Sequence, residues 1–519
     1  MKSLKITTLA LGLALTAGLT GCREYLDVNF DPSFPQVGEG FAVLPPMLSQ
    51  MARGESFDGR FAGQYCQYWQ SPAAGNVWDR MGYAAGSDAG GEMWRSHYYS
   101  IGTNVDLVIQ NAAAKEQWDY VGVAKAIRAW SWQVTTDFNG DMILKQAWEP
   151  NRYVFDYDPQ SDVYAEVVRL GNEAIADLGR DGAGVSTASL GRGDLVYQGD
   201  RTKWVKFVNA VLARNLHHQT NKGGAYNPDA VIRLVDQSFA SNADNFLVPH
   251  AATSSADANF WGTLRNNMNG FRPGVYYVSA MDGTLFPGSR DPRLAATLTA
   301  STDGVFRGVV PALGDPNNVA NRTNRVANFW GQTQPTATPP TTGKFLFQDN
   351  APHPLITFWE MQFIKAEAAF IKGDKALAYV AYLRGINAHL DFVAGLISDA
   401  AARTQFTTER TAYLRSSAVA QTADALTLSS VMMQKYISMF THGNLESWVD
   451  MRRYKYSQDV YPGFTPPTGL ILFPDNNNKL VYRARPRFNS EYVWNRAALN
   501  SFGGLDIDYH TKEMWFQQR

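Results

Sequence analysis

The sequence predicts a mostly α protein: tetratricopeptide-like helix pairs form a scaffold, joined to a large, irregular, loop-rich subdomain with a few short strands. Apolar residues recur at helical spacing in several segments. Two of those segments abut across a minimal turn. Long stretches between the segments follow neither the helical nor the strand period, in a chain with 43 Gly and 24 Pro.

Residues 22–50, punctuated by Pro32, Pro35, Pro45 and Pro46, read as an extended tether leading into the fold. Within 121–138, Val123, Ile127, Trp130 and Val134 share one helix face, and Val163, Val167, Leu170 and Ala174 do the same in 162–178. Trp204, Val208, Val211 and Leu212 mark another helix. Thr357-Phe358-Trp359-Glu360 has capping-box form and opens a helix over 358–372. Gly373 stops that helix and Asp374 caps the next, striped by Tyr379, Leu383, Ile386 and Leu390. Such hairpins stack into solenoid-like arrays, although no clean 34-residue repeat is visible. Leu428, Val431, Met432, Tyr436 and Met439 stripe a further helix. Gly54–Gly91, Gly182–Gly199, Ala251–Gly283, Ser301–Asn350 and Tyr461–Arg487 read as loops, with short strands expected in 324–348 and 469–483.

Apolar residues make up 45% of the 519 and aromatics 13%, enough for a large core. The net charge of −1 lacks the basic footprint of a nucleic-acid binder. Two cysteines rule out a disulfide framework. Lys2 and Lys5 precede a mostly apolar run, Ile6 to Leu19, that is too short to span a bilayer, which takes about 20 residues. It ends Leu19-Thr20-Gly21-Cys22, a lipobox. The expected organisation is therefore a lipoprotein signal peptide over 1–21 and a single domain over 22–519, anchored through acyl chains on Cys22. Cys66 is then the remaining thiol, expected as a small buried hydrophobe.

Motifs of catalysis are missing: there is no H-E-x-x-H, no G-x-S-x-G and no P-loop. Adjacent His217 and His218 point about 100° apart on a helix, poor geometry for one metal, and are expected at a helix edge. Asp137-x-Asn139-x-Asp141 has calcium-loop spacing without the following Gly or acid. No cofactor is expected. What does stand out is aromatic and polar residues placed in loops. Trp69, Asn76, Trp78 and Tyr83 crowd one stretch; Trp261, Arg265 and Asn266 a second; Asn328 and Trp330 a third. Sugar C–H faces can lie on an indole while Asn and Arg meet hydroxyls, so these nine residues are the candidate ligand contacts. The same indoles would also serve to anchor loops.

Laid in order, the pieces resemble the SusD/RagB-type nutrient-binding outer-membrane lipoproteins. After the lipobox comes Tyr25-Leu26-Asp27-Val28-Asn29, then Tyr98-Tyr99 leading to Asn111, and Ala124 to Asp141 with its D-x-x-G-D turn, where Met142-Ile143 replaces the family's small-apolar and Pro pair. Phe207-Val208-Asn209 to Arg214, Asp291-Pro292-Arg293, Phe363 to Ala369, Gln434-Lys435 and Glu446-Ser447-Trp448-Val449-Asp450-Met451-Arg452-Arg453 follow, with Arg487, Glu491 and Asn495 last. The resemblance implies a mostly helical fold on the cell exterior, anchored in the outer membrane. It implies capture of an oligosaccharide or a peptide, handed without catalysis to a SusC-like TonB-dependent transporter barrel. A surface glycan-processing enzyme of the same uptake system is the alternative class. Glu446 and Asp450 are expected to neutralise Arg452 and Arg453, while Lys479, Arg483, Arg485 and Arg487 are expected to face a partner.

Overall fold

The computed structural model describes residues 38–334 and 343–519, and its compact unit runs from Gly40 to Arg519. The signal peptide, Cys22 and the tether up to residue 37 lie outside the described residues.

The fold is mostly helical. The helices that matter below are α1 (Gly40–Tyr65), α2 (Gly102–Ala113), α3 (Trp118–Asn139), α4 (Gln160–Leu178), α5 (Arg201–His217), α6 (Pro228–Gln237), α7 (Phe358–Lys372), α8 (Lys375–Leu396), α9 (Ala400–Tyr413), α10 (Leu428–Ser438) and α11 (Asn444–Arg453). From α2 to α8 each helix packs on the next, the arrangement of stacked helix pairs, while α10 lies on α7 and α11 on α1. A nearly continuous apolar core runs through all of them.

The expected turn at 373–374 is present. Gly373 adopts φ +89°, and Asp374 accepts a hydrogen bond from the Leu377 amide at 3.0 Å. The capping box at 357–360 is only half made. Thr357 Oγ1 accepts from the Glu360 amide at 3.4 Å, but the Glu360 carboxylate turns inward to Arg214.

Three expectations about loops and strands differ. The tether does not extend to residue 50, because α1 begins at Gly40 and runs through Pro45 and Pro46. Leu44, Met47, Leu48 and Met51 form a buried stripe whose burial outweighs the hydrogen bonds those prolines cannot donate. The 54–91 stretch is helical to Tyr65, since Gly63 lets α1 press on Trp69, whose ring would lie 2.3 Å from an added Cβ. The strands are elsewhere: β1 (Trp69–Gln70) pairs antiparallel with β3 (Arg272–Pro273), and β2 (Phe246–Val248) with β4 (His353–Ile356). At 345–347 and 469–471 the chain makes single 3₁₀ turns instead. Leu470 in the second is fully solvent-exposed, so that apolar run has no sheet face to bury.

Buried ion pairs bind the helices together, and they are made by the motif residues. Arg214 of α5 meets Glu360 of α7 at 2.5 Å, both essentially inaccessible to solvent. Arg453 of α11 holds Glu367 of α7 at 2.8 Å and Asp450 at 2.6 Å, and Lys435 of α10 reaches Asp450 at 2.7 Å. His217 and His218 are not at an edge. His217 meets Glu367 at 2.8 Å, and His218 bridges Asp137 (3.1 Å) and Glu446 (3.0 Å). Glu446 thus serves His218 and Arg214 rather than its own helix's arginines. Arg452 lies over the Trp448 ring at 3.8 Å and donates to the Asp137 and Tyr482 carbonyls. Arg293 of the D-P-R element is held by Asp291, Tyr413 and Gln434.

Asp137, His218 and Glu446 approach closely enough to hold a cation. Both ring nitrogens of His218 already face carboxylates, whose charges raise its pKa to about 9 against the cost of burial. At neutral pH His218 is therefore itself the cation between the two carboxylates. Asn139 and Asp141 turn elsewhere, to the Arg485 carbonyl and the Gln160 amide, so the calcium-loop spacing does not gather its side chains. The C-terminal arginines expected at a partner face are also engaged. Arg483 and Arg485 are buried among the carbonyls of 504–513, Arg487 pairs with Asp88, and Lys479 with Asp508.

Candidate ligand-binding site

The three loop clusters converge on one side of α1. Trp69 packs 5.4 Å from Trp261 and 5.9 Å from Phe329, Trp330 donates to the Trp261 carbonyl at 3.0 Å, and Trp78 lies 4.2 Å from Phe61 and 4.8 Å from Tyr83. Trp69, Trp78, Tyr83, Trp261 and Trp330 are buried, the first four against other rings. They fix the loops to the scaffold. Asn328 organises its own loop, accepting from the Trp330 and Gln332 amides, and Asn76 does likewise with the Trp78 amide. Among the nine, Asn76, Arg265 and Asn266 keep solvent access.

Solvent-open aromatic rings lie at a different place, which the sequence reading passed over. The segment 92–101 starts as one α-turn and continues as a π-helix, Ser96–Ile101. Such wide turns recur at functional sites. Here the turn points Tyr98 inward and leaves Tyr99 66% exposed. Gly102, the residue after it, admits the Trp148 ring, whose Cζ2 would lie 2.3 Å from an added Cβ. Trp148 Nε1 donates to the Tyr98 carbonyl at 2.8 Å, and Arg128 lies 4.4 Å from its ring centre. Trp148 adopts φ +58°, an uncommon and strained conformation for a bulky residue, of the sort that clusters at ligand sites.

Trp94, Tyr98, Tyr99, Trp148 and Phe155 wall an open cleft of about 410 Å³, with Arg95, Arg487, Ser490 and Glu491 supplying polar groups. Glu491 is held in place by three donors: Trp94 Nε1 at 3.2 Å, the Tyr157 hydroxyl at 2.5 Å and Asn495 Nδ2 at 3.1 Å. Phe155 and Asn495 exchange hydrogen bonds at 3.0 and 2.9 Å, joining segments 340 positions apart in sequence. Beside that junction Tyr153 is 82% and Trp494 76% exposed. Exposed rings gathered at an apolar-walled cleft with a few fixed polar groups suit a ligand with flat C–H faces and hydroxyls.

Among the described residues no helix is long and apolar enough to cross a membrane. No curated protein matches the chain. Solved structures resemble it over nearly their whole length. A SusD/RagB family protein from Bacteroides thetaiotaomicron has a TM-score of 0.70 at 18% identity, covering 92% of this chain and 99% of its own. A SusD homologue from Bacteroides fragilis gives 0.69 at 20%, covering 93% and 100%. A chitin-binding SusD homologue from Flavobacterium johnsoniae gives 0.65 at 19%, covering 92% and 96%. At these identities the likeness establishes the fold. The profile of the SusD-like family, described as starch-binding and associating with the outer membrane, matches residues 35–468. With most of its length so matched, the chain belongs to the SusD-like family.

Proposed function

We propose that this protein is a non-catalytic receptor for an oligosaccharide, held on the outer membrane by lipid on Cys22. It passes the glycan to a SusC-like TonB-dependent transporter. The open aromatic cleft at Tyr98, Tyr99 and Trp148 carries the reading. Its rings stack on sugar faces, while Glu491, Arg95 and Ser490 meet hydroxyls. Asn76, Arg265 and Asn266 offer polar groups on a separate, solvent-accessible part of the surface, and the buried Trp69, Trp78, Tyr83, Trp261, Asn328 and Trp330 hold the loops that carry them. Aromatic walls with few charges favour a glycan over a peptide, whose backbone would call for paired donors and acceptors along the groove. The chitin-binding relative supports the same ligand class. Capture with onward release needs only mM to μM affinity, about 4–8 kcal/mol.

Titration calorimetry against a glycan panel tests this. A binding glycan whose affinity falls about tenfold in Trp148→Ala and Tyr99→Ala supports the cleft. Affinity unchanged in both removes it. Hydrolysis of the bound glycan would favour a surface glycan-processing enzyme. Solubilised outer membrane that yields no barrel with this chain would count against the transporter partnership.

A further inference from the structure

A second concavity, of about 350 Å³, lies between the early turns of α1 and the 249–265 loop. It differs from the aromatic cleft in charge. Arg53 and Arg265 both line it. Arg265 spends Nε and Nη2 on the Ala258 and Ala256 carbonyls, at 3.3 and 2.8 Å, which fixes the guanidinium in place and leaves Nη1 uncommitted. Arg53 is exposed, and among the described residues it has no hydrogen-bond, ion-pair or ring partner. The two cations repel one another, which lowers the pKa of Arg265 in addition to the larger effect of its burial.

The Asp257 carboxylate on the same wall acts on Arg265 in the opposite sense and offsets one of the two charges, so the hollow keeps one excess positive charge, at Arg53, that an anion relieves. The other lining groups narrow its chemistry. Asp257 is turned to its own loop, accepting from the Ser254 amide at 2.7 Å and from the Thr253 hydroxyl, and keeps lone pairs for a ligand hydroxyl. His250 is held neutral, its pKa lowered to about 4 by burial and by Arg265, so it neither adds to nor cancels the charge. Ser56 lies at the floor with its hydroxyl 3.2 Å from His353 Nδ1, and Phe260 supplies an apolar wall. Two cations, a carboxylate acceptor, a hydroxyl and a ring together match a ring-shaped polyhydroxy acid.

We infer that this hollow is an anion-selective subsite, which takes the carboxylate or sulfate of an acidic sugar residue between Arg53 and Arg265. The inference rests on the glycan reading above and specifies the ligand's charge.

The test is calorimetry on the full chain in detergent with trigalacturonate, 6-sulfated chitotriose and neutral chitotriose. Arg53→Gln breaks no contact and so preserves the fold. It is expected to weaken at least one acidic glycan about tenfold, with Arg53→Lys recovering most of the loss and chitotriose unaffected. Loss confined to trigalacturonate identifies a carboxylate ligand; loss confined to the sulfated trimer identifies a sulfate. Acidic-glycan affinities equal in wild type and Arg53→Gln overturn the subsite. So does Arg53-dependent binding of the tripeptide Gly-Gly-Phe without either acidic glycan. Chitotriose binding without either acidic glycan overturns this inference alone, whereas a chain that binds no glycan in any arm overturns the receptor reading as well.

Discussion

His218 makes the pH dependence of stability calculable. All eight histidines of the chain are described, and seven have their pKa lowered, chiefly by burial: His97, His217, His250, His353, His389, His442 and His510. Each of the seven is neutral when folded, so its contribution is complete above the unfolded value near 6.5 and is lost as pH falls below it. His218 runs the other way. Asp137 and Glu446 hold it charged, with a folded pKa of about 9. Its contribution is complete below 6.5 and is lost as pH rises through 9. The interval between 6.5 and 9 corresponds to about 3 kcal/mol. Urea unfolding at half-unit steps from pH 6.5 to 9 should show stability falling by at least that amount, since Asp58 and Asp79, each raised to about 7 by burial, add a smaller fall below about pH 8. In His218→Gln the protein should start lower, because Asp137 and Glu446 lose the cation they share, and should then lose stability only up to about pH 8, as the buried Asp58 and Asp79, each raised to about 7, ionise. A wild-type profile that is flat from 6.5 to 9, or a variant that keeps the slope, refutes the assignment of charge to His218.

Glu367→Gln removes one of the two buried carboxylates that hold Arg453, leaving Asp450, and takes the acceptor from His217; it should cost about 3 kcal/mol in the same unfolding assay. Asp229→Asn, which breaks the exposed pair with Lys372, should cost less than about 1 kcal/mol; equal losses at the two sites would contradict the burial argument. Gly102→Ala places a methyl group against the Trp148 ring and should weaken glycan binding to the aromatic cleft while leaving Arg53-dependent binding intact, as calorimetry on both ligands would show.

Legibility in the sequence followed locality. Helices such as α3, α4, α5 and α7 announce themselves by stripes and caps that lie within a few residues of one another. α1 did not, because Pro45 and Pro46 mask a buried stripe whose worth depends on partners distant in sequence, such as α11. The motif residues are visible as motifs, and neighbour spacing finds the Asp450–Arg453 pair, but Glu446 turns to Arg214 and His218, and Arg453 also reaches Glu367 on another helix. The loop tryptophans stand out as clusters, yet spacing has no means of telling a ring that faces water from one that faces Trp261. Tyr99, Trp148 and Glu491 are separated by long stretches of chain and meet at one cleft, which the Phe155–Asn495 junction closes on one side. The adjacent Tyr98-Tyr99 pair beside Trp94 was the local signal available.

The left-handed backbone at Trp148 has a consequence for how this lobe can change. A glycine there would relax the main chain at once and delete the ring that forms the cleft wall. Backbone ease and side-chain packing pull in opposite directions at this one position. The ring's packing on Trp132 and its hydrogen bond to the Tyr98 carbonyl outweigh that relief, so laboratory selection for heat tolerance would keep an aromatic at 148 in spite of its backbone.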